Sequence, residues 1–326
     1  MIVVTGGAGF IGSNIVKALK KEGKEVTIVD DFAKGQWCNL LDCNFEEFIH
    51  RDDFYDLVAD FIEEDHNPGW TAILHNGAIS STTAKNSSEV MKSNFSQSTL
   101  LLEFCNKFNI PFIYASSASV YGLNRNSRED PKNERPMNLY AFSKLLFDNY
   151  VRRLTGATIL TNQVVGLRYF NVYGPGEFHK AGQSSPIFRY WSEIEEGRNP
   201  QVYVGDDGCG NDAKDCMRDF IHVDDVVKVV LWFLDHPEKR GIFNVGTGKA
   251  NSFETVARYV QKWYTKNNPL KDAEPEFVQM PKKIRGGSQP YTKANLKNLK
   301  DAGYTDKFIT LKDGVPYYLN WLKNNE

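Results

Sequence analysis

The sequence predicts an α/β fold built on a doubly wound parallel sheet, with a smaller C-terminal lobe. Two observations predict it. Short apolar runs rich in β-branched residues alternate with amphipathic stretches through the first half of the chain, and a glycine-rich turn joins the first run to the first such stretch. Because strands buried on both faces read as continuous apolar runs, we expect a parallel sheet with helices on both sides.

The elements of the first half follow from this alternation. The apolar runs predict strands at residues 2–5, 26–30, 72–74, 112–116 and 164–169. The helical spacing of the stretches between them predicts helices at 11–21, 54–63, 90–108 and 140–154. Residues 1–173 are therefore expected to form the main domain.

After residue 173 the alternation loosens and Gly and Pro become frequent. The predicted elements are a helix at 187–196, an extended segment at 202–205, an exposed loop at 206–215, a strand and helix at 220–234, a strand at 241–245, a helix at 252–266, a strand at 277–280, and helices at 293–302 and 311–322. We expect residues 219–250 to complete the main domain. The smaller lobe then comprises mainly residues 174–218 and 251–326.

The composition excludes several classes of protein. The formal net charge of −2 provides no long-range attraction for nucleic acid or an anionic membrane, and no stretch approaches the roughly 20 apolar residues of a membrane-spanning helix. The five cysteines show no C-x-x-C spacing, and the six histidines show no metal-ligand spacing. We therefore expect a cytoplasmic protein that binds no metal, nucleic acid or membrane.

Three glycines at the turn after the first strand are spaced for nucleotide binding. Gly6, Gly9 and Gly12 form a G-x-x-G-x-x-G pattern. Glycine permits positive φ and lets the backbone approach a pyrophosphate, which the N–H groups at the helix N-terminus attract. The pattern alone is weak evidence, because a structural turn also explains it.

An acidic pair at the end of the predicted second strand strengthens that interpretation. Asp30 and Asp31 lie where a carboxylate accepts hydrogen bonds from the adenosine ribose of a dinucleotide. Asp30 repels the 2′-phosphate of NADP and so favours NAD, whereas Lys34 and Arg51 are close enough in sequence to pair with that phosphate. The residues themselves leave the choice between NAD and NADP open.

A tyrosine and a lysine one helical turn apart are candidate catalytic residues. Tyr140 and Lys144 begin the fourth predicted helix and share one face, and Ser116 and Ser117 follow the strand before it. A nearby ammonium favours ionisation of a phenol, and a serine hydroxyl can bind the oxygen whose proton moves. Beside a dinucleotide, these groups predict reversible hydride chemistry. The alternative is an amphipathic helix with a surface lysine.

At these positions the sequence resembles the extended short-chain dehydrogenase/reductase family of nucleotide-sugar enzymes. The resemblance covers nearly the whole chain, and its motifs lie at 6–12, 76–78, 116–122, 140–144 and 168–175. Three further stretches, at 75–83, 176–180 and 231–234, are more similar to the branch of ADP-heptose 6-epimerases than to UDP-galactose 4-epimerases. The resemblance implies a Rossmann fold, a tightly bound NADP or NAD, a nucleotide-sugar substrate and a homo-oligomer, with pentamers among the relatives.

The activity that the resemblance implies is inversion of C6 of ADP-D-glycero-D-manno-heptose, which supplies the heptose of the lipopolysaccharide inner core. Because that carbon carries no acidic proton, oxidation of the carbinol has to precede inversion. Two proton-transfer groups on different sides of the sugar then serve both hydroxyl orientations. By resemblance these groups are Tyr140 and Lys180. Without it, Lys180 would be interpreted as a solvated loop lysine.

The motifs and the resemblance together predict the binding residues. Those for the cofactor are Gly6, Gly9, Phe10, Ile11, Gly12, Asp30, Asp31, Lys34, Arg51, Asn76, Gly77, Ala78, Ile79, Ser80, Asn94 and Lys144. Those for the sugar nucleotide are Asn171, Val172, Lys180, Gly182, Arg189, Tyr203, Val204, Gly205, Asp206, Arg218 and Ser288. Arg218 suits a diphosphate because a guanidinium binds it bidentately; the alternative is a surface ion pair with Asp219.

The sequence departs from the family pattern in two places, and two other functions stay open. The family's lysine near the adenosine phosphate is missing around Trp37, and Ser288 replaces a tyrosine. A C4 epimerase of another nucleotide sugar would use the same constellation, and a non-catalytic NAD(P)-binding sensor would use the same dinucleotide site. A 4,6-dehydratase is excluded because its subgroup has an acid where this chain has Ala118.

Overall fold

The computed structural model describes residues 1–204, 216–271, 273–281 and 289–325, and the loop predicted at 206–215 lies outside them. The strands are β1 (Ile2–Thr5), β2 (Val26–Asp30), β3 (Glu47–His50), β4 (Ala72–His75), β5 (Phe112–Ser117), β6 (Val164–Tyr169), β7 (Asn171–Tyr173), β8 (Gln201–Val204), β9 (Met217–His222), β10 (Gly241–Val245), β11 (Ala250–Ser252) and β12 (Glu276–Gln279). The α-helices are α1 (Phe10–Lys21), α2 (Arg51–Glu63), α3 (Ser87–Met91), α4 (Gln97–Lys107), α5 (Leu139–Gly156), α6 (Pro186–Glu195), α7 (Val223–Asp235), α8 (Phe253–Asn267), α9 (Lys297–Asp301) and α10 (Leu311–Asn324). No helix in this part of the chain is long and apolar enough to cross a membrane.

A seven-stranded parallel sheet, in the order β10-β6-β5-β4-β1-β2-β3, forms the centre of the fold. The predicted doubly wound α/β fold is confirmed. The strand order reverses between β1 and β4, because the chain runs from β1 outward to β3 on one side and from β4 outward to β6 on the other. Ligands of such sheets bind outside the carboxyl ends of the strands at this reversal. The glycine turn after β1 lies there.

Helices cover both faces of the sheet because neighbouring residues of a strand point to opposite sides. On one face, Val4 belongs to an apolar cluster with Ile15 of α1 and Val226 of α7. On the other face, Val3 belongs to a cluster with Phe54 of α2 and with residues of α4 and α5. Both faces of β1 are therefore buried, which is why this strand reads as a continuous apolar run.

Several segments differ from the predicted elements: β7 and β11 are not among the predicted strands, and the helix predicted at 293–302 is the shorter α9. The helix expected at 90–108 is divided into α3 and α4 by one π-helical turn, Lys92–Ser96, which carries Asn94. Such a turn leaves the apolar spacing nearly continuous, so the sequence shows a single helix; π turns are frequent at functional sites. Strand β3 is not among the predicted strands because it is an edge strand whose first residues, Glu47 and Phe48, are exposed.

The C-terminal lobe packs around its own apolar core. Helices α6, α8 and α10 contribute the buried Tyr190, Tyr264 and Tyr318, which cluster with Val202 of β8. Strand β8 pairs with β12, and β7, β9 and β11 form a three-stranded sheet. Of the stretch 219–250, which we expect to complete the main sheet, β10 joins it, whereas β9 pairs with β7 and β11.

Candidate active site

The glycine turn after β1 leaves no room for side chains. Gly6 has a φ of +64°, in the left-handed region, and a Cβ there would lie 2.7 Å from the backbone nitrogen of Gly77. A Cβ on Gly12 would lie 2.1 Å from the carbonyl oxygen of Gly6. Helix α1 begins immediately after Gly9, which has no side chain to cap its N-terminus. The cradle therefore fits the pyrophosphate of a dinucleotide, whose charge suits these N–H groups.

The two aspartates at the end of β2 are tied to their surroundings. The Asp30 Oδ2 accepts a hydrogen bond of 2.9 Å from the backbone N–H of Ala8, so this carboxylate also fixes the glycine turn. The Asp31 Oδ2 lies 2.6 Å from Nη1 of Arg51. Arg51 is predicted to pair with a 2′-phosphate, but the structure pairs it with Asp31, because β3 delivers the start of α2 beside the end of β2.

Residues 76–80 follow β4 at the reversal of the strand order, and Asn94 holds them. The side chain of Asn94 accepts from the N–H of Ile79 at 2.8 Å and donates to its carbonyl at 3.0 Å. It also donates to the hydroxyl of Ser143 in α5, at 3.0 Å. Because these bonds occupy its amide, Asn94 supports the predicted cofactor site by fixing the loop that contains Asn76 and Ile79.

His75, at the end of β4, lies beneath the site as a neutral ring. Its Nδ1 lies 2.6 Å from the hydroxyl of Thr5 and its Nε2 lies 2.9 Å from that of Ser98. Burial, with a smaller contribution from the charge of Lys144, lowers the pKa of His75 to about 3. The ring therefore keeps β1 and β4 in register with the helix that follows, without adding charge to the site.

Tyr140, Ser117 and Lys144 come together at the ends of β5 and α5. The N-cap residue Asn138 accepts a 2.9 Å bond from the N–H of Ala141, which fixes the first turn of α5 and Tyr140 on it. Burial raises the pKa of Tyr140, and the hydroxyl of Ser117 lowers it. One turn further, Nζ of Lys144 donates to the carbonyl of Ala115 at 2.8 Å.

The ammonium of Lys144 is withdrawn from water, since only 5% of this residue is exposed. Burial lowers its pKa to about 8, and the negative charge of Asp148 opposes that shift. A cation this poorly solvated stabilises a nearby negative charge strongly, because little water screens it. The cluster can therefore take a proton from a hydroxyl that binds between Tyr140 and Ser117.

Ser116 does not join this cluster. Its hydroxyl donates to Oδ2 of Asp148 at 2.9 Å, on the interior side of β5. The same carboxylate accepts from Arg168, at 2.8 and 2.9 Å, and from Tyr114, at 3.0 Å. Because neighbouring residues of a strand point to opposite sides, only one of two adjacent serines can face Tyr140. The inclusion of Ser116 among the catalytic residues is therefore wrong, and Ser117 occupies that position.

Lys180 lies in the 3₁₀ segment Phe178–Gln183, against the start of α1. Its Nζ is 5.3 Å from the centroid of the Phe10 ring. Burial lowers the pKa of Lys180, and the carboxylate of Glu177 opposes this. Glu177 is itself buried and accepts a 2.7 Å bond from the hydroxyl of Ser185, the N-cap residue of α6. The loop is thus anchored at Glu177 and carries Lys180 to the cofactor cradle.

Two amide side chains, which the sequence patterns do not single out, join that loop to the cradle. Asn39 donates to the carbonyls of Ala8, at 2.9 Å, and Gly176, at 3.0 Å, and is 5% exposed. Asn14 of α1 donates to the carbonyl of Pro175 at 2.8 Å. No sequence signal points to Asn39, because its partners are 31 and 137 residues away along the chain.

The predicted substrate residues lie mainly in the C-terminal lobe. The guanidinium of Arg189 stacks on the ring of Tyr203 at 4.4 Å and donates to the carbonyl of Gln201 at 2.9 Å. The guanidinium of Arg218 lies 5.5 Å from the ring centroid of Phe253. The other described members are Asn171 and Val172 in β7, Gly182 in the 3₁₀ segment and Val204 in β8. Gly205, Asp206 and Ser288 lie outside the described residues.

The alternative reading of Arg218, as a surface ion pair with Asp219, is wrong. Arg218 is only 5% exposed. The carboxylate of Asp219 accepts from the backbone N–H groups of Thr247 at 2.8 Å, Gly248 at 2.8 Å and Ala294 at 2.9 Å. The two residues are neighbours in β9, so their side chains point to opposite sides.

Similarity to known proteins extends along the chain. The model of the NAD dependent epimerase/dehydratase family matches residues 2–246. An ADP-L-glycero-D-manno-heptose-6-epimerase of Alkalilimnicola ehrlichii is 42% identical over 323 residues, which are 98% of this chain and 97% of that protein.

Two solved structures are similar to this chain over nearly its whole length. The ADP-L-glycero-D-manno-heptose-6-epimerase of Helicobacter pylori has a TM-score of 0.81 at 28% identity, over 99% of this chain and 96% of its own. The UDP-N-acetylglucosamine 4-epimerase of Methanobrevibacter ruminantium M1 has a TM-score of 0.82 at 25% identity, over 100% of this chain and 98% of its own. The family resemblance read from the motifs is confirmed, and the chain belongs to the NAD-dependent epimerase/dehydratase family.

Proposed function

We propose that this protein inverts C6 of ADP-D-glycero-D-manno-heptose, giving the L-glycero epimer for the inner core of lipopolysaccharide. The observation that carries the chemistry is the buried ammonium of Lys144, which lies one helical turn from Tyr140 and donates to the carbonyl of Ala115 in the strand that ends at Ser117. The sugar is taken from the 42% identical relative, which is named for this reaction. The site and the relative thus agree on oxidation followed by reduction of a carbinol carbon.

The side chains of the first cluster handle the proton of the substrate hydroxyl. A nicotinamide dinucleotide held at the glycine cradle would supply the hydride acceptor and donor. Tyr140, ionised as a phenolate that the ammonium of Lys144 stabilises, would take the hydroxyl proton as the carbinol is oxidised and become a neutral phenol. Ser117 hydrogen-bonds the same substrate oxygen. When the hydride returns to the carbon, the proton returns to the oxygen.

Inversion needs a second proton-transfer group, because the hydroxyl of the other epimer points elsewhere. We assign this part to Lys180, whose lowered pKa brings its neutral form closer to physiological pH. In its neutral form it can accept the proton that Tyr140 cannot reach. The loop from Glu177 to Ser185 would then be a catalytic loop of the second lobe.

The sugar nucleotide is assigned to the second lobe. The stacked pair of Arg189 and Tyr203 offers an aromatic face and a cation, which suit an adenine and its phosphates. Arg218 offers a second guanidinium for the diphosphate. The remaining members of this proposed site are Asn171, Val172, Lys180, Gly182, Val204, Gly205, Asp206 and Ser288.

The proposal includes a cytoplasmic homo-oligomer, and a pentamer is one of the assemblies that the resemblance implies. Sedimentation equilibrium of the purified protein checks the number of subunits. The cofactor is assigned as a tightly bound nicotinamide dinucleotide. The resemblance favours NADP, and that preference depends on Lys34 and Arg51 being able to pair with a 2′-phosphate.

The function is tested by incubating the purified protein with ADP-D-glycero-D-manno-heptose and, separately, with UDP-galactose. We expect conversion of the ADP-heptose alone, and its loss in Tyr140→Phe, whose thermal unfolding should match that of the unchanged protein. Conversion of UDP-galactose alone would make the protein a C4 epimerase. Activity with neither sugar, and no change of phenotype in Tyr140→Phe, would favour the NAD(P)-binding sensor.

A further inference from the structure

The turn after β2 folds back, so that the amide side chain of Gln36 donates hydrogen bonds to both Asp30 and Asp31. Gln36 is 6% exposed, and its Nε2 donates to Oδ1 of Asp30 at 2.9 Å and to Oδ1 of Asp31 at 3.2 Å. Its Oε1 accepts from the backbone N–H of Lys34 at 2.7 Å. The donors and the acceptor of this amide are therefore committed to the turn, and none is left for a phosphate group.

The two carboxylates differ in how much of their capacity to accept hydrogen bonds is still free. The Asp31 Oδ1 also accepts from the N–H of Ala33 at 3.0 Å, and its Oδ2 is paired with Arg51 at 2.6 Å. The Asp30 Oδ2 accepts from Ala8 and keeps a further lone pair. A ribose hydroxyl can donate to that lone pair, whereas a 2′-phosphate has no proton to donate to it at neutral pH.

Among the described residues, no Lys or Arg side chain forms an ion pair with Asp30. Nη1 of Arg51 lies 2.6 Å from Oδ2 of Asp31, so a phosphate that reached this guanidinium would share it with a carboxylate. Lys34, the other cation predicted to pair with a 2′-phosphate, is exposed. Asp30 therefore offers its free lone pair to a hydroxyl group without a cation paired to it.

We propose that this site selects NAD over NADP, and that Gln36 determines the choice by holding Asp30 and Asp31 together as hydrogen-bond acceptors. The proposal rests on the proposed function only in requiring a bound dinucleotide. It runs against the NADP preference that the resemblance implies. The difference lies in the turn around Trp37, where the lysine of the family is missing and Gln36 binds the two aspartates instead.

Nucleotide binding tests the proposal without any sugar substrate. Protein stripped of its nucleotide is titrated with NADH and with NADPH, and the fluorescence of the reduced nicotinamide reports binding. We expect NADH to bind at least about ten-fold more tightly, a difference readily resolved in such titrations. Tighter binding of NADPH would overturn the proposal. Failure of epimerisation in a separate assay would not affect this ratio, so the two proposals fail independently.

Variants assign the selectivity to particular residues. Gln36→Ala and Asp30→Asn should each lower the ratio of NADPH to NADH dissociation constants at least about three-fold. The matched control is Asp56→Asn, which removes an exposed carboxylate of α2 and should leave the ratio unchanged. If Gln36→Ala fails to fold by thermal unfolding, Gln36→Lys, with a side chain of similar length, replaces it. An unchanged ratio in a folded Gln36 variant would contradict the role assigned to Gln36.

Discussion

Lys144 and Lys180 are both withdrawn from water, yet the molecule holds them in different ways. Lys144 lies within α5 and donates to the carbonyl of Ala115 in the adjacent strand of the central sheet. Lys180 lies in a 3₁₀ segment outside the sheet, against the ring of Phe10. The first lysine is built into the rigid core of the fold, whereas the second is delivered by a loop.

The surroundings of Lys144 reinforce that rigidity. One turn beyond it, Asp148 binds Arg168, which is fully buried and also binds Glu134 at 2.6 Å. Charge-assisted bonds of this kind fix α5 against β5 and β6, since leaving any buried partner unpaired is costly. The position of Lys144 is thus determined by several bonds, and no single neighbouring bond should be decisive for it.

The surroundings of Lys180 depend on fewer bonds between more distant residues. Asn39 ties the loop to the glycine turn at Gly176, and Glu177 ties it to α6. Loss of one of these bonds should move Lys180 relative to the cofactor cradle. The comparison teaches that the two lysines differ less in their charge than in how securely the fold positions them.

The largest effect is expected from Lys144→Met, which removes the ammonium and keeps a long apolar side chain. Without that charge the phenolate of Tyr140 loses its stabilisation, so epimerisation in either direction should fall by about 10² to 10⁴. Stopped-flow absorbance of the reduced nicotinamide, with each epimer in turn, should show slow reduction by the epimer that Tyr140 deprotonates. Rapid reduction by both epimers in the variant would show that Lys144 is dispensable.

A smaller and asymmetric effect is expected from Lys180→Met. Epimerisation should fall by about 10², because one of the two hydroxyl orientations loses its proton acceptor. The same stopped-flow experiment should show that one epimer still reduces the nicotinamide and the other does not. Lys21→Met, at an exposed position in the last turn of α1, serves as the control. Equal loss for both epimers would contradict the division of labour between Tyr140 and Lys180.

The sequence predicts the first of these two regions better than the second. The strands beside Lys144 are buried on both faces and read as apolar runs, and Tyr140 and Lys144 follow a helical spacing. The sequence does not show which side of β5 each serine faces, so it predicts the same role for Ser116 and Ser117. The structure separates them because one side chain faces Asp148 and the other faces Tyr140.

The contacts of the second region join residues that are far apart in sequence. The bond from Asn39 to Gly176 spans 137 residues, and Arg51 is committed to Asp31 by the pairing of an unpredicted edge strand. Asn39 lies in a short 3₁₀ segment and belongs to no periodic sequence pattern. The sequence also does not show which carboxylate Arg51 pairs with. These contacts depend on how distant segments of the chain pack together, and local sequence patterns carry no information about that packing.

An intermediate effect is expected from Asn39→Ala. Removing the amide leaves the carbonyls of Ala8 and Gly176 without a donor, at a cost of about 1 to 3 kcal/mol, and loosens the loop that carries Lys180. We expect kcat to fall by about ten-fold with a smaller change in the dissociation constant of the dinucleotide. Asn44→Ala, at an exposed position nearby, is the matched control. Loss of cofactor binding with unchanged kcat would instead place Asn39 in the cofactor site alone.

The smallest expected effect is that of a change in pH on kcat/KM. Because burial lowers the pKa of Lys144 to about 8, its protonated fraction falls as the pH rises through that value. The rate kcat/KM should therefore drop by about two-fold between pH 7 and pH 8 through this group. A pH profile in Lys180→Met that keeps this limb would assign it to Lys144.

As the pH rises, the contribution of Lys144 to the free energy of unfolding should increase while kcat/KM falls. This difference distinguishes the alkaline loss of activity from unfolding. Lysine in the unfolded chain has a pKa near 10.4, so between about pH 8 and about pH 10 the unfolded state binds the proton that folded Lys144 has released. The free energy of unfolding gains from this group as the pH rises through that window. Urea unfolding of the unchanged protein and of Lys144→Met across this range measures the difference. If activity and the Lys144 contribution to stability fell together, the alkaline limb would reflect unfolding, and the comparison between the two lysines would lose its electrostatic part.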